Sequence, residues 1–254
     1  MTTPSFTVNI QKGGALLNDV HRLVEMWDLA ESAEVNLRCI ADENLLGKAT
    51  RRRLDDVLLR CLAPRFVEPG PHVIVALKDL LGDHSAFAEA AYYETSRDED
   101  LLAAFVEGPC FDWYQAGRLR VTIDDTTAWL AEQATAGTLP EWSPTVRTKV
   151  GRGLLAALRD FGVLDGARIK RFATPRLSLR GFAYVAFRLH EQGASSTSIE
   201  SSQVWRRWLL SPDRVDDLLH QAAQAGVLTY GRAGTAVRID WHVSSVEEAI
   251  RAAA

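Results

Sequence analysis

The feature that most constrains this chain is the stretch over residues 143–180, SPTVRTKVGRGLLAALRDFGVLDGARIKRFATPRLSLR. Ser143 is a good helix N-cap, and Pro144 falls in the first turn, where a missing N–H is tolerated. Val146, Val150, Leu154, Ala157, Leu158 and Phe161 recur at helical spacing and form one apolar stripe. Gly162 ends that helix, Asp165 and Gly166 signal a turn, and a short basic, β-like extension follows. Helix, glycine stop and basic extension is the order of a recognition helix and its wing in winged-helix DNA binders.

The charges of this stretch agree with that order. Its Lys and Arg residues face only Asp160 and Asp165, a local excess of seven positive charges. A helical wheel turns Thr148, Lys149, Arg152 and Arg159 away from the apolar stripe. The candidate DNA contacts here are Arg147, Thr148, Lys149 and Arg152 on the helix, with Arg168, Lys170, Arg171 and Arg176 after it. Gly151 and Gly153 each weaken the helix by about 1 kcal/mol relative to Ala. Two such costs in one helix point to close approach, either by another helix or by a phosphate backbone. The competing reading of the basic face is ordinary solvated surface on a bundle helix.

The whole chain has a net charge of −4, so any attraction to nucleic acid must come from local patches. Residues 79–141 carry 13 acids against Arg97, Arg118 and Arg120. Cys39, Cys61 and Cys110 make no CxxC pair and read as buried thiols in a reducing cytoplasm. The N-terminus lacks the apolar core of a signal peptide, and no run approaches the roughly 20 apolar residues of a membrane span. A cytoplasmic protein with no membrane contact is expected.

The periodicities predict a mainly α protein with helix-turn-helix and winged-helix-like modules carrying small β-hairpin wings. Residues 1–80 form an N-terminal helical domain, 81–140 an acidic helical connector, and 141–254 a C-terminal region of two modules at 141–192 and 199–243. Residues 3–11 read as extended, and Gly13 and Gly14 break that piece before a helix near Ala15. A helix over 32–42, with Val35, Leu37, Cys39 and Ile40 partly buried, a turn at 44–48, and a helix capped by Thr50 make the helix-turn-helix near residues 31–63. That second helix opens on Arg51, Arg52 and Arg53, which oppose the macrodipole, so DNA contact by this triplet is a candidate function. A salt ladder of Arg52, Asp56 and Arg60 is the alternative. Pro64, Pro69, Gly70 and Pro71 punctuate the chain, and residues 193–198 read as a flexible linker.

The third module repeats the central one in order. Ser211 and Pro212 start its helix as Ser143 and Pro144 do, and Ala-Gly-Val-Leu at 225–228 parallels Phe-Gly-Val-Leu at 161–164. Its helix is acidic, with Asp213, Asp216 and Asp217 against Arg214, so any DNA contact there falls to Arg232, Arg238 or the pair Arg206 and Arg207. Phe111, Trp113, Tyr114 and Trp129 lie among acids and read as core or interface rather than a base-stacking platform.

Nothing in the sequence points to catalysis. There is no nucleotide-binding glycine loop, the six histidines make no metal spacing, and Asp124 and Asp125 read as a turn and helix cap. No cofactor is implied, and a non-enzymatic role is expected.

Three stretches resemble the BrxA family of the BREX bacteriophage-exclusion systems. They are Lys12, Gly13 and Gly14 ahead of a Leu-rich helix, residues 40–46 (IADENLL) running into the Thr50 helix start, and residues 141–145 (EWSPT) leading to the helix that ends at 158–164. The resemblance covers most of residues 5–165. It implies a small, helical, non-enzymatic DNA-binding component of a phage-defence island, acting beside a methyltransferase, an ATPase and a phosphatase-like protein. The residues themselves reach nucleic-acid binding, and the expectation taken from both is double-stranded DNA binding mainly through the phosphate backbone, with weak or no sequence preference. Two rivals stand beside it: a sequence-specific transcriptional regulator, and a scaffold that binds other defence proteins through the acidic 79–141 region and the Trp-rich third module.

Overall fold

The computed structural model describes residues 6–254. The chain opens with a single helical turn, α1 (Ile10–Gly13), where an extended piece was expected. The Gln11 and Lys12 N–H groups bond back to the Val8 and Asn9 carbonyls, which folds the chain so that Ile10 can be buried. Residues 3–5 of the expected extended piece lie outside the described residues. Gly14 and Leu16, both at positive φ, then redirect the chain into α2 (Leu17–Met26).

Helix α3 (Ala33–Asp42) starts at Ser32, whose hydroxyl accepts the Val35 N–H. It buries Ile40 and Asn36, and the Asn36 amide ties down the Asp28 carbonyl at 2.9 Å. Val35 and Cys39 face solvent instead of packing inward, so Cys39 is not a buried thiol, whereas Cys61 and Cys110 are. A turn with Asn44 and Gly47 at positive φ leads to α4 (Arg51–Val57), capped by Thr50.

Pro64 does not stop this helix. The chain continues as a π-helical segment, Leu58–Val67, in which the Glu68 N–H reaches the Ala63 carbonyl five residues back. A proline lacks the N–H and crowds the carbonyl four residues earlier, and the wider π turn relieves both. After α5 (Pro71–Asp79), α6 (His84–Asp98) and α7 (Asp100–Phe105), a second π segment, Val106–Cys110, carries Pro109 in the same way into α8 (Phe111–Gln115).

Helix α6 is buried on several faces, including Tyr92, Tyr93, Glu94, Thr95 and Ser96. Glu94 within it, Glu99 just after it and Glu107 in the second π segment are each matched by an arginine from a distant segment. Arg65, 0% exposed, donates to Glu99 at 2.8 Å and to the Gly14 carbonyl at 3.0 Å. Arg188 donates to Glu94 at 3.1 Å, and the Tyr184 hydroxyl donates to the same carboxylate at 2.7 Å. Arg207 donates to Glu107 at 2.6 Å and to Ser96 at 2.8 Å. The stretch expected to stand out as an acidic connector therefore spends several of its carboxylates inside the molecule.

Strand β1 (Arg120–Val121) leads into α9 (Ile123–Thr135), whose Thr122 and Asp125 form a reciprocal capping box. Helix α10 (Pro144–Asp160) follows, capped by Ser143, and then the hairpin of β2 (Leu164–Asp165) and β3 (Lys170–Phe172). The three strands form an antiparallel sheet in the order β1-β3-β2. The hairpin after α10 thus returns to pair with a strand that precedes α9, and the sheet draws its third strand from ahead of residue 141. Helix α11 (Leu179–Glu191) comes next. The expected linker at 193–198 is ordered: the Ala194 N–H bonds to Leu189 and Ser195 caps α12 (Ser196–Glu200). The expected amphipathic helix near Trp205 is a 3-10 segment, Gln203–Trp208. Helix α13 (Pro212–Gln224), the hairpin of β4 (Leu228–Ala233) and β5 (Ala236–Trp241), and α14 (Val246–Ala252) complete the chain. The two Ser-Pro helices end alike, on Gly162 and Gly226 at φ 77° and 80°, and α10 is 17 residues against 13 for α13.

Two predictions follow from this packing. The backbone of α1 crosses α10 at Gly153, where an added Cβ would lie 2.9 Å from the Ile10 carbonyl oxygen. Gly153→Ala gains helix propensity yet should lower stability by about 1–3 kcal/mol in denaturant unfolding, because backbone must move to admit the methyl. The Asp98 carboxyl is raised to about 6, first by desolvation and then by the charge of Glu99. An unfolded Asp ionises near pH 4, so between about pH 4 and 6 the native state holds a proton that the unfolded chain has released, and this contribution to stability falls as pH rises. Asp98→Asn should flatten that part of the profile and raise stability at neutral pH by on the order of 1 kcal/mol.

Candidate nucleic-acid interface

Helix α10 buries Val150, Leu154, Ala157 and Leu158 against the body of the fold. The opposite stripe presents Lys149, Arg152 and Arg159 to solvent at i, i+3 and i+10. Both glycines of the helix answer to protein neighbours. Gly153 admits the α1 backbone, and a Cβ at Gly151 would lie 3.0 Å from Ile123 and 3.3 Å from Thr126 of α9. The close approach expected from sequence is therefore helix against helix, and the glycines sit on the flanks of the basic stripe.

Two grooves border the stripe. On one side α1 brings Lys12 beside Lys149 and Arg152 in a groove of about 430 Å³. On the other, the hairpin brings Arg168 beside Arg152 and Arg159 in a groove of about 680 Å³, floored by Leu155 and Ala156. Lys149, Arg152 and Arg168 have no ion-pair partner among the described residues. Arg159 pairs with its neighbour Asp160 at 2.5 Å.

The remaining sequence candidates divide into outward and inward groups. Arg147 is half-buried and donates to the Trp142 carbonyl at 3.0 Å, holding the approach to α10. The Thr148 hydroxyl donates to the Pro144 carbonyl at 2.9 Å. Lys170 is buried, and its ammonium donates to the Gly166 and Ala167 carbonyls at 2.6 and 2.7 Å. Burial first, then the nearby Arg159 charge, pulls Lys170 below the usual lysine range. Arg171 is exposed on the sheet, in register with Arg120, while Arg176 is exposed beyond the hairpin, lining a separate groove with Arg159.

In the N-terminal triplet, Arg51 is engaged by Asp55 at 3.0 Å and by the Ala41 carbonyl at 3.0 Å, which ties α4 to α3. Arg53 donates to the Lys12 carbonyl at 2.6 Å and so anchors α1. Arg52 is exposed with no partner among the described residues. The ladder through Asp56 forms with Arg60 at 3.5 Å and Lys12 at 3.4 Å, without Arg52. The triplet therefore splits into two structural arginines and one free one.

The third module offers no comparable stripe. Arg214 pairs with Asp217, Arg232 with Glu200 at 3.1 Å, and Arg238 with Asp240 at 2.6 Å. Arg207 is buried, and Arg206 lies 4.8 Å over the Phe111 ring. Lys12 and Arg120 also belong to the basic surface, brought there by α1 and β1. Only Gly153 hinted that an earlier segment crosses α10, and nothing local tied Arg120 to the hairpin. Among the described residues there is no His, Cys, Asp and Glu cluster able to hold a metal, and no helix is long and apolar enough to cross a membrane.

A search of curated proteins finds no match. Among solved structures, the fold is similar to the crystal structure of an uncharacterized protein from Magnetospirillum magneticum, with a TM-score of 0.60 at 19% identity, covering 81% of this chain and 98% of that one. That likeness concerns the fold alone. The family model for BrxA matches residues 4–188, which takes in α1, the Arg51–Arg53 triplet, α10 and the whole hairpin. The chain belongs to the BrxA family of BREX phage-exclusion systems.

Proposed function

We propose that this BREX component is a non-enzymatic, double-stranded DNA-binding protein that holds the duplex mainly by its phosphates. The observation that carries the reading is the outward stripe of α10. Lys149 and Arg152 stand unpaired between two grooves that add Lys12 on one side and Arg168 on the other. Unpaired cations on a rigid helix, clustered in a protein of net negative charge, are suited to phosphate contacts and to orienting a polyanion. No Asn or Gln accompanies them along the stripe at Thr145, Lys149, Arg152, Ala156 and Arg159, so the stripe lacks the side chains that read adenine in the major groove. The protein works in the cytoplasm beside the other BREX proteins, among them a methyltransferase, an ATPase and a phosphatase-like component. A scaffold role through the acidic stretch is less supported, because Glu94, Glu99 and Glu107 are consumed by buried arginines.

Charge reversal tests the stripe. Lys149→Glu with Arg152→Glu should weaken binding to a random-sequence duplex by about tenfold or more, on all sequences alike, and reduce the salt slope by about one per residue. Both side chains are exposed and unpaired, so thermal stability should stay within about 0.5 kcal/mol of wild type. Unchanged affinity would make the stripe ordinary solvated surface.

A further inference from the structure

The tip of the β2–β3 hairpin is held more firmly than a solvent loop requires. Gly166, at φ 87°, turns the chain so sharply that a Cβ there would lie 2.2 Å from the Ile169 carbonyl oxygen. Lys170, 7% exposed, points its ammonium back into the hairpin and bonds two tip carbonyls. A cation in a basic strip is thus spent on shaping the tip. The tip itself turns out Arg168, exposed and unpaired among the described residues, and Ile169, 52% exposed.

The sheet behind the tip is also uncompensated. Arg120 lies directly opposite Arg171 in the β1–β3 register, and both are exposed. Like charges in that relation are destabilising. Asp165 is in register on the other side of Arg171 but makes no ion pair with it. An anion approaching this face of the sheet would relieve the repulsion.

A guanidinium beside an exposed branched apolar side chain, on a preshaped tip, fits one part of a duplex. The narrow minor groove concentrates negative potential and draws arginine, and apolar wedges enter its base steps. The phosphate-lined rim would reward Arg168 but leave Ile169 without a partner. We propose that residues 166–169 enter the DNA minor groove next to the site bound by α10, with Arg168 in the groove and Ile169 against a base step. This rests on the duplex reading of α10. It makes the tip a source of preference for A·T pairs, because the guanine 2-amino group obstructs the groove floor.

The test uses the full chain and three duplexes that differ only in the pairs flanking a common centre: A·T, G·C and inosine·C. Inosine·C presents the minor groove of A·T without the guanine amino group, while its major groove matches G·C. A·T and inosine·C should bind alike, and about five- to tenfold tighter than G·C. The double variant Arg168→Ala with Ile169→Ala should bind all three alike while keeping a steep salt dependence from α10. Inosine·C behaving as G·C, no preference in the wild type, or a preference that survives the double variant would each overturn the minor-groove assignment and leave the α10 reading standing. No binding to any of the three, even at low salt, would overturn the α10 reading and this assignment with it.

Discussion

The pairing of buried acids with distant arginines is the interaction on which the rest of the structure depends. Arg65, Arg188 and Arg207 come from a π segment, α11 and a 3-10 segment; they end on Glu99 just after α6, on Glu94 within it, and on Glu107 of the second π segment together with Ser96 of α6. Removing one member of such a pair leaves an uncompensated buried charge and typically costs about 3–5 kcal/mol, so these contacts fix which segments can surround α6. Tyr184 and Ser96 satisfy further lone pairs and donors in the same cluster, which lets a charged interior persist.

This internal neutralisation also shapes the surface. The acidic stretch over residues 79–141 exposes less negative charge than its composition suggests, because Glu94 and Glu99 are buried and Glu107 is paired. The third module pairs its wing arginines with its own acids. Among the described residues, exposed cations without an ion-pair partner cluster on α10, the first hairpin and Arg176 just beyond it, and Arg52 on α4 and Arg120 on β1 are also exposed and unpaired. The two helix-and-hairpin units share caps, glycine stops and hairpins, yet among the described residues the free basic face is on the first, and α1 docks along it by way of Gly153 and Arg53.

Much of the local structure was legible in the sequence. Ser32, Thr50, Ser143 and Ser211 mark helix starts because each side chain bonds the backbone one turn on. The apolar stripe of α10 and the stop at Gly162 follow from periodicity and positive φ. The misreadings share a cause, which is dependence on distant partners. Pro64 looked like a terminator, but tertiary packing keeps the helix going in a wider form. Lys170 and Arg53 looked like DNA contacts, yet their nearest acceptors are backbone carbonyls of the tip and of α1. Residue type and spacing identify which side chains are charged; only the packing identifies which of those charges are already spent. Lys149, Arg152 and Arg168 are the part of the sequence-derived site that remains outward and unpaired around one pair of grooves.

The most direct measurement is a fluorescence-anisotropy titration of the wild-type protein with a random-sequence duplex, repeated across a salt series. Phosphate contacts by the α10 stripe and its flanking cations predict affinity that falls linearly with log salt, with a slope of about −0.9 for each phosphate neutralised. An affinity indifferent to salt, or no binding at the lowest salt, would contradict duplex recognition by this surface.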